Sequence, residues 1–313
     1  MKEAMKPILL IALGGNALIR KGQEGTVAQQ FKNLAVPIRQ IARLSRDYRI
    51  IITHGNGPQV GNLLLQQESC GQVPKLPLEI LVAQTQGQIG YMIESTLDSE
   101  LMDLGINVKP LISLITYVVV DENDPAYAQP SKPIGPAYKH KKDAPAGYPV
   151  IKTAKGFRRV VVSPKPVTII EKREIKKLIN ADFIVICCGG GGIPVADIGQ
   201  GVYRGVPAVV DKDYACSLLA CQIGADLFII STAVEKVALN FGKPDQEWLD
   251  TITLSQARQY LAEGKHFAKG SMAPKIQAVI WYLEGGGKRA LITNPENISR
   301  AMRGETGTWI VNE

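Results

Sequence analysis

Ile8-Leu9-Leu10-Ile11-Ala12-Leu13-Gly14-Gly15-Asn16-Ala17-Leu18 is the stretch on which the fold turns. An aliphatic run this short and uninterrupted reads as a strand buried on both faces, as in a parallel sheet covered by helices. Gly14-Gly15 at its carboxyl end lets the backbone turn sharply and keeps side chains away from its N–H groups. Ligands of open α/β sheets bind beyond the carboxyl ends of the strands. A plain strand-to-helix turn also carries glycine, so the pair alone decides nothing.

The chain repeats the device twice, at Ile50–Gly61 (IIITHGNGPQVG) and at Phe183–Pro194 (FIVICCGGGGIP). Pro58 suits the first turn of a helix, where its missing N–H costs nothing. Free amides at such a turn favour a phosphate or a carboxylate. Three such strand ends on one sheet are expected to surround an anion with backbone donors. No Gly-x-x-x-x-Gly-Lys-Ser/Thr occurs, which excludes a P-loop. Val60, Pro194 and Val195 stand where the last glycine of Gly-x-Gly-x-x-Gly would be, so a dinucleotide fingerprint is absent as well.

The 313 residues suffice for a large core, and 45% hydrophobic against 21% charged residues is ordinary for a soluble globular protein. Met1 to Pro7 is charged and runs straight into the first strand, without a signal peptide. No apolar run approaches the roughly 18 residues of a membrane span. A cytoplasmic location is the expectation. Five cysteines (Cys70, Cys187, Cys188, Cys216 and Cys221) make an odd set with no Cys-x-x-Cys, which argues for reduced thiols rather than disulfides or zinc. Cys187 and Cys188 read as core fillers. Of the net charge of +7, residues 121–165 hold nine Lys/Arg against four Asp/Glu. Without nucleic-acid motifs or interleaved aromatics, that patch reads as a solvated surface carrying one or two functional lysines.

Val27, Phe31, Leu34, Ile38, Ile41 and Leu44 recur at helical spacing, with Pro37 expected to kink or split the helix. A strand at 49–53 and helices near 58–68 and 78–104 follow, and Val108 to Val120 is strongly β-forming. Residues 121–162, punctuated by prolines at 125, 130, 133, 136 and 145 and poor in aliphatics, read as a small protruding lobe of hairpin-like form. Beyond it the pattern predicts helices at 171–180, 211–224, 254–263, 274–284 and 295–303. Strands are predicted at 183–188, 227–230, 290–293 and 309–311, with a short β segment near 237–240. This alternation gives a mostly parallel sheet covered on both faces.

Two further stretches carry chemistry: Val209-Val210-Asp211-Lys212-Asp213, a strand ending in charge at a helix start, and Gly270-Ser271-Met272-Ala273-Pro274-Lys275. A lysine near a turn is by itself a surface charge. Beside a glycine-lined anion pocket, lysine suits phosphoryl transfer, where the task is to neutralise moving negative charge.

Taken together, these stretches closely resemble carbamate kinases of the amino-acid kinase superfamily. The likeness runs nearly end to end, through Ala12–Leu18, Thr53–Gly61, Gln84–Tyr91, Lys132–Pro136, Arg158–Val161, Gly189–Pro194, Val210–Asp213 and Gly264–Phe267. It implies a three-layer α/β/α sandwich with a mostly parallel central sheet and a small protruding subdomain. The whole chain, 1–313, would be one domain with a substrate half at about 1–180, including the lobe, and a nucleotide half at about 181–313. The implied reaction is ADP plus carbamoyl phosphate to ATP plus carbamate, reversibly, in a homodimer using Mg²⁺ bound to ATP or ADP, without nucleic-acid or membrane partners.

By the same likeness Gly14, Gly15, Asn16, Gly55, Asn56 and Gly57 hold the carbamoyl phosphate or the moving phosphoryl group. Lys132 reaches over the substrate, Lys212 and Lys275 flank the transferring group, and Asp211 orients those two lysines. Val234, Val237, Ala238, Phe241, Ser271 and Met272, with Lys275, face the nucleotide. No dedicated protein metal site is implied. Ser131, Phe157 and Ala273 depart from the family pattern of threonine, tryptophan and glycine, and Ala273 would matter if its position needs positive φ. Two alternatives stay open: a related kinase acting on another small carboxylate, and a non-catalytic nucleotide- or anion-binding homologue.

Overall fold

The computed structural model describes residues 5–106, 109–153, 156–268 and 270–313. Its spine is an eight-stranded sheet. The strands, from one edge to the other, are β15 (Thr251–Thr253), β17 (Thr308–Val311), β16 (Arg289–Thr293), β12 (Leu227–Ser231), β1 (Ile8–Leu13), β2 (Arg49–His54), β9 (Ile184–Ile186) and β3 (Leu111–Ser113). Every pairing is parallel except β16 with β17. β1 is buried along its whole length, and its alternation splits the core in two. Leu9, Ile11 and Leu13 pack under α1 (Val27–Leu44), α3 (Leu78–Asp103) and α8 (Ile298–Met302). Ile8, Leu10 and Ala12 pack under α4 (Lys172–Asn180), α5 (Lys212–Ile223) and α7 (Met272–Glu284), with α6 (Leu254–Ala262) beside them. This is the three-layer arrangement that period-two burial of an aliphatic strand requires.

The order of strands reverses beside β1: the chain runs from β1 outward to β2 on one side, and later places β12 and then β16 on the other. A crevice opens at such a switch point, outside the carboxyl ends. Gly14 donates to the Ser231 carbonyl at 2.9 Å, and Gly55 donates to the Leu13 carbonyl at 3.0 Å, so the first two glycine turns sit side by side there.

Several elements differ from the sequence expectation. α1 is one helix through Pro37, opened by a Thr26–Gln29 capping box. The proline costs one rung of the ladder, while Leu34, Ile38 and Ile41 on either side stay locked in the core. The β-forming run divides at 114–116, and Val108 lies outside the described residues, as do Met1–Ala4. β3 joins the main sheet, whereas β4 (Tyr117–Val120) joins a second sheet with β8 (Pro166–Ile169), β10 (Ile193–Asp197) and β11 (Tyr203–Gly205). That second sheet has no counterpart in the periodicity reading. β9 stops at Ile186, and the C-terminal helix keeps only five residues, Ile298–Met302.

The proline-rich stretch is a three-stranded antiparallel sheet: β5 (Lys132–Tyr138), β7 (Gly156–Val161) and β6 (Val150–Thr153). It carries more core than its composition suggested. Ile134 and Val161 share an apolar cluster with Val60 and Leu64 of α2 (Gly57–Glu68) and with Leu81 of α3. Among the described residues no helix is long and apolar enough to cross a membrane.

Cys187 and Cys188 are buried in the larger core cluster. A hydrogen bond with Cys187, then burial, raise the Cys188 thiol pKa, which disfavours a reactive thiolate. Replacing both by alanine is therefore expected to lower the melting temperature while leaving turnover within about a hundredfold of wild type, the low end of one acid–base contribution. A larger loss in a folded double variant would contradict the core-filling role.

Candidate active site

Three lysines and two aspartates meet at the crevice. Lys212 Nζ lies 2.5 Å from Asp213 Oδ1, and Lys275 Nζ lies 2.7 Å from Asp213 Oδ2. Lys132 Nζ, from the first residue of β5, lies 2.5 Å from Asp211 Oδ2. Asp211 is the N-cap of α5, and its Oδ1 accepts the Asp213 N–H at 2.9 Å. The division of labour differs from the sequence expectation. Asp211 orients Lys132, whereas the buried Asp213 holds Lys212 and Lys275. The signal for Asp213 was present, since it follows the cap by two residues on the same first turn, but spacing does not reveal which lysine each carboxylate meets.

The electrostatics follow from burial and pairing. Burial opposes ionisation of Asp213, but Lys212 and Lys275 outweigh it and hold the carboxyl well below the usual range. Asp211 is likewise lowered, chiefly by Lys132 acting against burial. Burial works against the charge on Lys212, and Asp213 restores it and raises its pKa. Three cations against two anions leave one positive charge in excess, fixed in place by hydrogen bonds.

The glycine turns lie beneath this charge. A Cβ on Gly55 would stand 3.3 Å from Lys212 Cδ and 3.5 Å from the Gly15 amide nitrogen, so both turns and the lysine stem converge on one point. The amides of Gly15, Asn16, Asn56 and Gly57 have no backbone partner among the described residues. Gly57 opens α2, whose first-turn amides add to the donor array. The side chains of the two asparagines are spent on structure: Asn16 Nδ2 donates to the Thr232 carbonyl at 2.7 Å and Asn56 Nδ2 to Thr85 Oγ1 at 2.9 Å.

The third turn is partly closed on itself, with the amides of Gly189 and Gly190 left without a backbone partner among the described residues. Gly191 and Gly192 donate within the turn, to the Cys188 and Gly189 carbonyls. A Cβ on Gly189 would fall 2.4 Å from His54 Nε2, so this turn is packed against the second rather than open above it. Gln86 Nε2 donates to the Gly189 carbonyl at 3.0 Å, and its Oε1 accepts the Thr116 N–H at 2.9 Å. Neither His54 nor Gln86 had been assigned a role.

The residues expected to face the nucleotide fall on β13, the segment around it and the start of α7. Val237 and Ala238 are buried in β13 (Val237–Leu239), which pairs with β14 (Glu247–Leu249). Val237 is wholly enclosed and belongs to the main core, so its side chain has no free face. Val234 is half-buried. Phe241 is 61% exposed and meets Trp248 edge-on at 6.1 Å. Ser271 is the exposed N-cap residue of α7, Met272 and Ala273 pack on the core, and Lys275 completes the first turn. Ala273 is helical and is not among the described residues with positive φ, so its Cβ is accommodated without backbone strain.

Such an arrangement binds an anion through fixed amides and follows a shift of negative charge with preorganised ammonium groups. Both aspartates are occupied by lysines, and His54 is neutral because burial lowers its pKa from 6.5 to about 4.

A profile of the amino acid kinase family matches residues 7–294. The carbamate kinase of Thermococcus kodakarensis is 46% identical over 315 residues, spanning 97% of this chain and 99% of that protein. The carbamate kinase-like protein YahI of Escherichia coli is 43% identical over 317 residues, spanning 98% and 99%. Among solved structures, the carbamate kinase of Giardia lamblia bound to citric acid is similar at a TM-score of 0.92 and 35% identity, over 98% of this chain and 99% of that one. The same enzyme bound to AMP-PNP gives 0.88 and 36%, over 98% and 99%.

His54 makes acid stability a test of the packing. Its folded pKa of about 4 lies below the ordinary 6.5, so the unfolded chain binds its proton first as pH falls. The contribution is whole above pH 6.5 and is lost progressively toward pH 4. Melting temperatures measured across that window should fall less steeply for His54→Gln than for wild type. Equal slopes would show that the ring is not held neutral against Gly189.

Proposed function

As a member of the amino acid kinase family the chain is a phosphotransferase of the carbamate kinase type, and we propose that the Lys132, Lys212 and Lys275 cluster is where a phosphoryl group passes between carbamoyl phosphate and ADP. The observation that carries this reading is the convergence of Lys212, Gly15 and Gly55 beneath a net positive cluster. In it the amides of the first two turns seat the phosphoryl group, Lys212 and Lys275 follow the charge as it shifts, and Lys132 captures the substrate. Asp211 and Asp213 keep the ammonium groups aimed. The nucleotide lies along Val234, Ala238, Phe241, Ser271 and Met272, with Val237 as backing, which divides the chain into a substrate half and a nucleotide half.

Mg²⁺ enters on the nucleotide phosphates and neutralises part of their charge. Both cluster carboxylates are paired with lysines, so in this reading the charge of the nucleotide phosphates is met by ammonium groups together with that cation. The protein works in the cytoplasm as a homodimer in this reading. The open edge of the main sheet at β3, with Tyr91 and Met102 exposed on α3, supports a second copy there.

ATP formation from ADP and carbamoyl phosphate tests the reaction; turnover only with another carboxylate, or binding without turnover, would replace it by one of the two alternatives. Lys212→Ala and Lys275→Ala should each lower kcat by at least about a hundredfold, the low range for one positioned stabilising group. Lys132→Ala should also raise the KM for carbamoyl phosphate. Lys141→Ala and Lys142→Ala, exposed on the lobe, should be nearly silent. Equal losses at Lys141 and Lys212 would mean that the basic patch acts as a diffuse field.

A further inference from the structure

The lobe is fastened to α2 at a point far from the chemistry. Arg159, on β7 and 3% exposed, places Nη1 at 2.8 Å from Oε2 of Glu68, the last residue of α2. The same guanidinium donates through Nε to the Pro145 carbonyl at 3.2 Å and through Nη2 to the Ala146 carbonyl at 3.1 Å. Its Cζ stands 5.4 Å from the centre of the Tyr148 ring.

A second fastening lies midway along α2. A Cβ on Gly61 would fall 2.0 Å from Gly135 Cα, so the backbones of α2 and β5 are in direct contact. Arg158 grips the Gly135 carbonyl there with Nε at 3.1 Å and Nη2 at 2.6 Å. At the near end a Cβ on Gly57 would stand 3.9 Å from the Pro133 carbonyl, which brings the residue after Lys132 over the first turn of α2.

α2 is thus a strut of 12 residues, about 18 Å long, with substrate-facing amides at one end and the Arg159–Glu68 pair at the other. Register completes the connection. Arg159 lies opposite Ile134 and Lys132 lies opposite Val161, so the clamped residue and the lysine sit two residues apart on paired strands. Gly61, Gly57 and the apolar cluster around Ile134 and Val161 hold the base of the lobe against the first two turns of α2. The Arg159–Glu68 pair adds a fixed point at the far end of the helix, which sets the tilt of the lobe along it.

We propose that Arg159 and Glu68 are a remote positioning pair for the reaction, setting the angle of the lobe on α2 and thereby the height of Lys132 above the Gly15 and Gly57 amides. The inference rests on the reading of Lys132 as the capture residue. A small misplacement of a binding group is costly even when its cause is remote. The purely structural alternative is that Glu68 only balances a buried guanidinium, in which case its loss lowers stability without passing through Lys132.

A double-mutant cycle in the full chain separates the two, read by ATP formation from ADP and carbamoyl phosphate. Glu68→Ala should raise the KM for carbamoyl phosphate by about fivefold or more, leave the KM for ADP unchanged, and add less than about twofold when built on Lys132→Ala. Should circular dichroism show Glu68→Ala unfolded, Glu68→Gln, which keeps the acceptor oxygen and loses the charge, is read by the same direction of change and the same non-additivity. An unchanged KM in the folded variant, or the same factor on both backgrounds, overturns the proposal. A wild type that makes no ATP, or a Lys132→Ala variant without effect, would instead overturn the reading of the site.

Discussion

Asp213 is a carboxylate almost sealed from solvent, and the lysine cluster at the crevice is built around its need for partners. An unpaired charge in that position would be strongly destabilising, and removing one partner of a buried pair costs about 3–5 kcal/mol. Lys212 reaches it from the adjacent residue and Lys275 from the start of α7, 62 positions later. The pairing therefore ties α5 to α7 across the face of the sheet and fixes two ammonium groups at the carboxyl ends of the strands. The charge that stabilises the fold is also the charge that a phosphoryl group would meet. Because the ammonium groups are already oriented, little reorganisation is needed when negative charge arrives.

Around that cluster, glycine serves two purposes. At Gly55 the missing side chain makes room for the Lys212 stem and leaves the neighbouring amides open. At Gly61 and Gly189 it lets one backbone, or a buried imidazole, come closer than any Cβ would permit. The third glycine turn belongs mainly to the second class. It packs on the second turn at His54 and is held by Gln86, while its Gly189 and Gly190 amides, like those of the first two turns, have no backbone partner among the described residues. The lobe obeys the same logic, since its polar, proline-marked exterior hides Ile134 and Val161, which complete an apolar cluster with α2 and α3. It is a continuation of the core as much as an appendage.

The sequence by itself determined the parallel sheet, because Ile8–Leu13, Ile50–Thr53 and Leu227–Ile230 are aliphatic runs too short for helices and too apolar for an exposed face. It also marked the residues that meet at the crevice, since glycine at strand ends and lysine at helix starts are local features with local consequences. Only the tertiary structure decided which lysine each aspartate holds. Asp211 and Asp213 are two residues apart, but Lys132 and Lys275 reach them from 79 and 62 positions away, and no periodicity encodes such pairings. The division of Leu111–Val120 between two sheets and the survival of α1 through Pro37 were decided in the same way. In each case burial against distant elements outweighed a local preference, a comparison that becomes available only when those elements are in place.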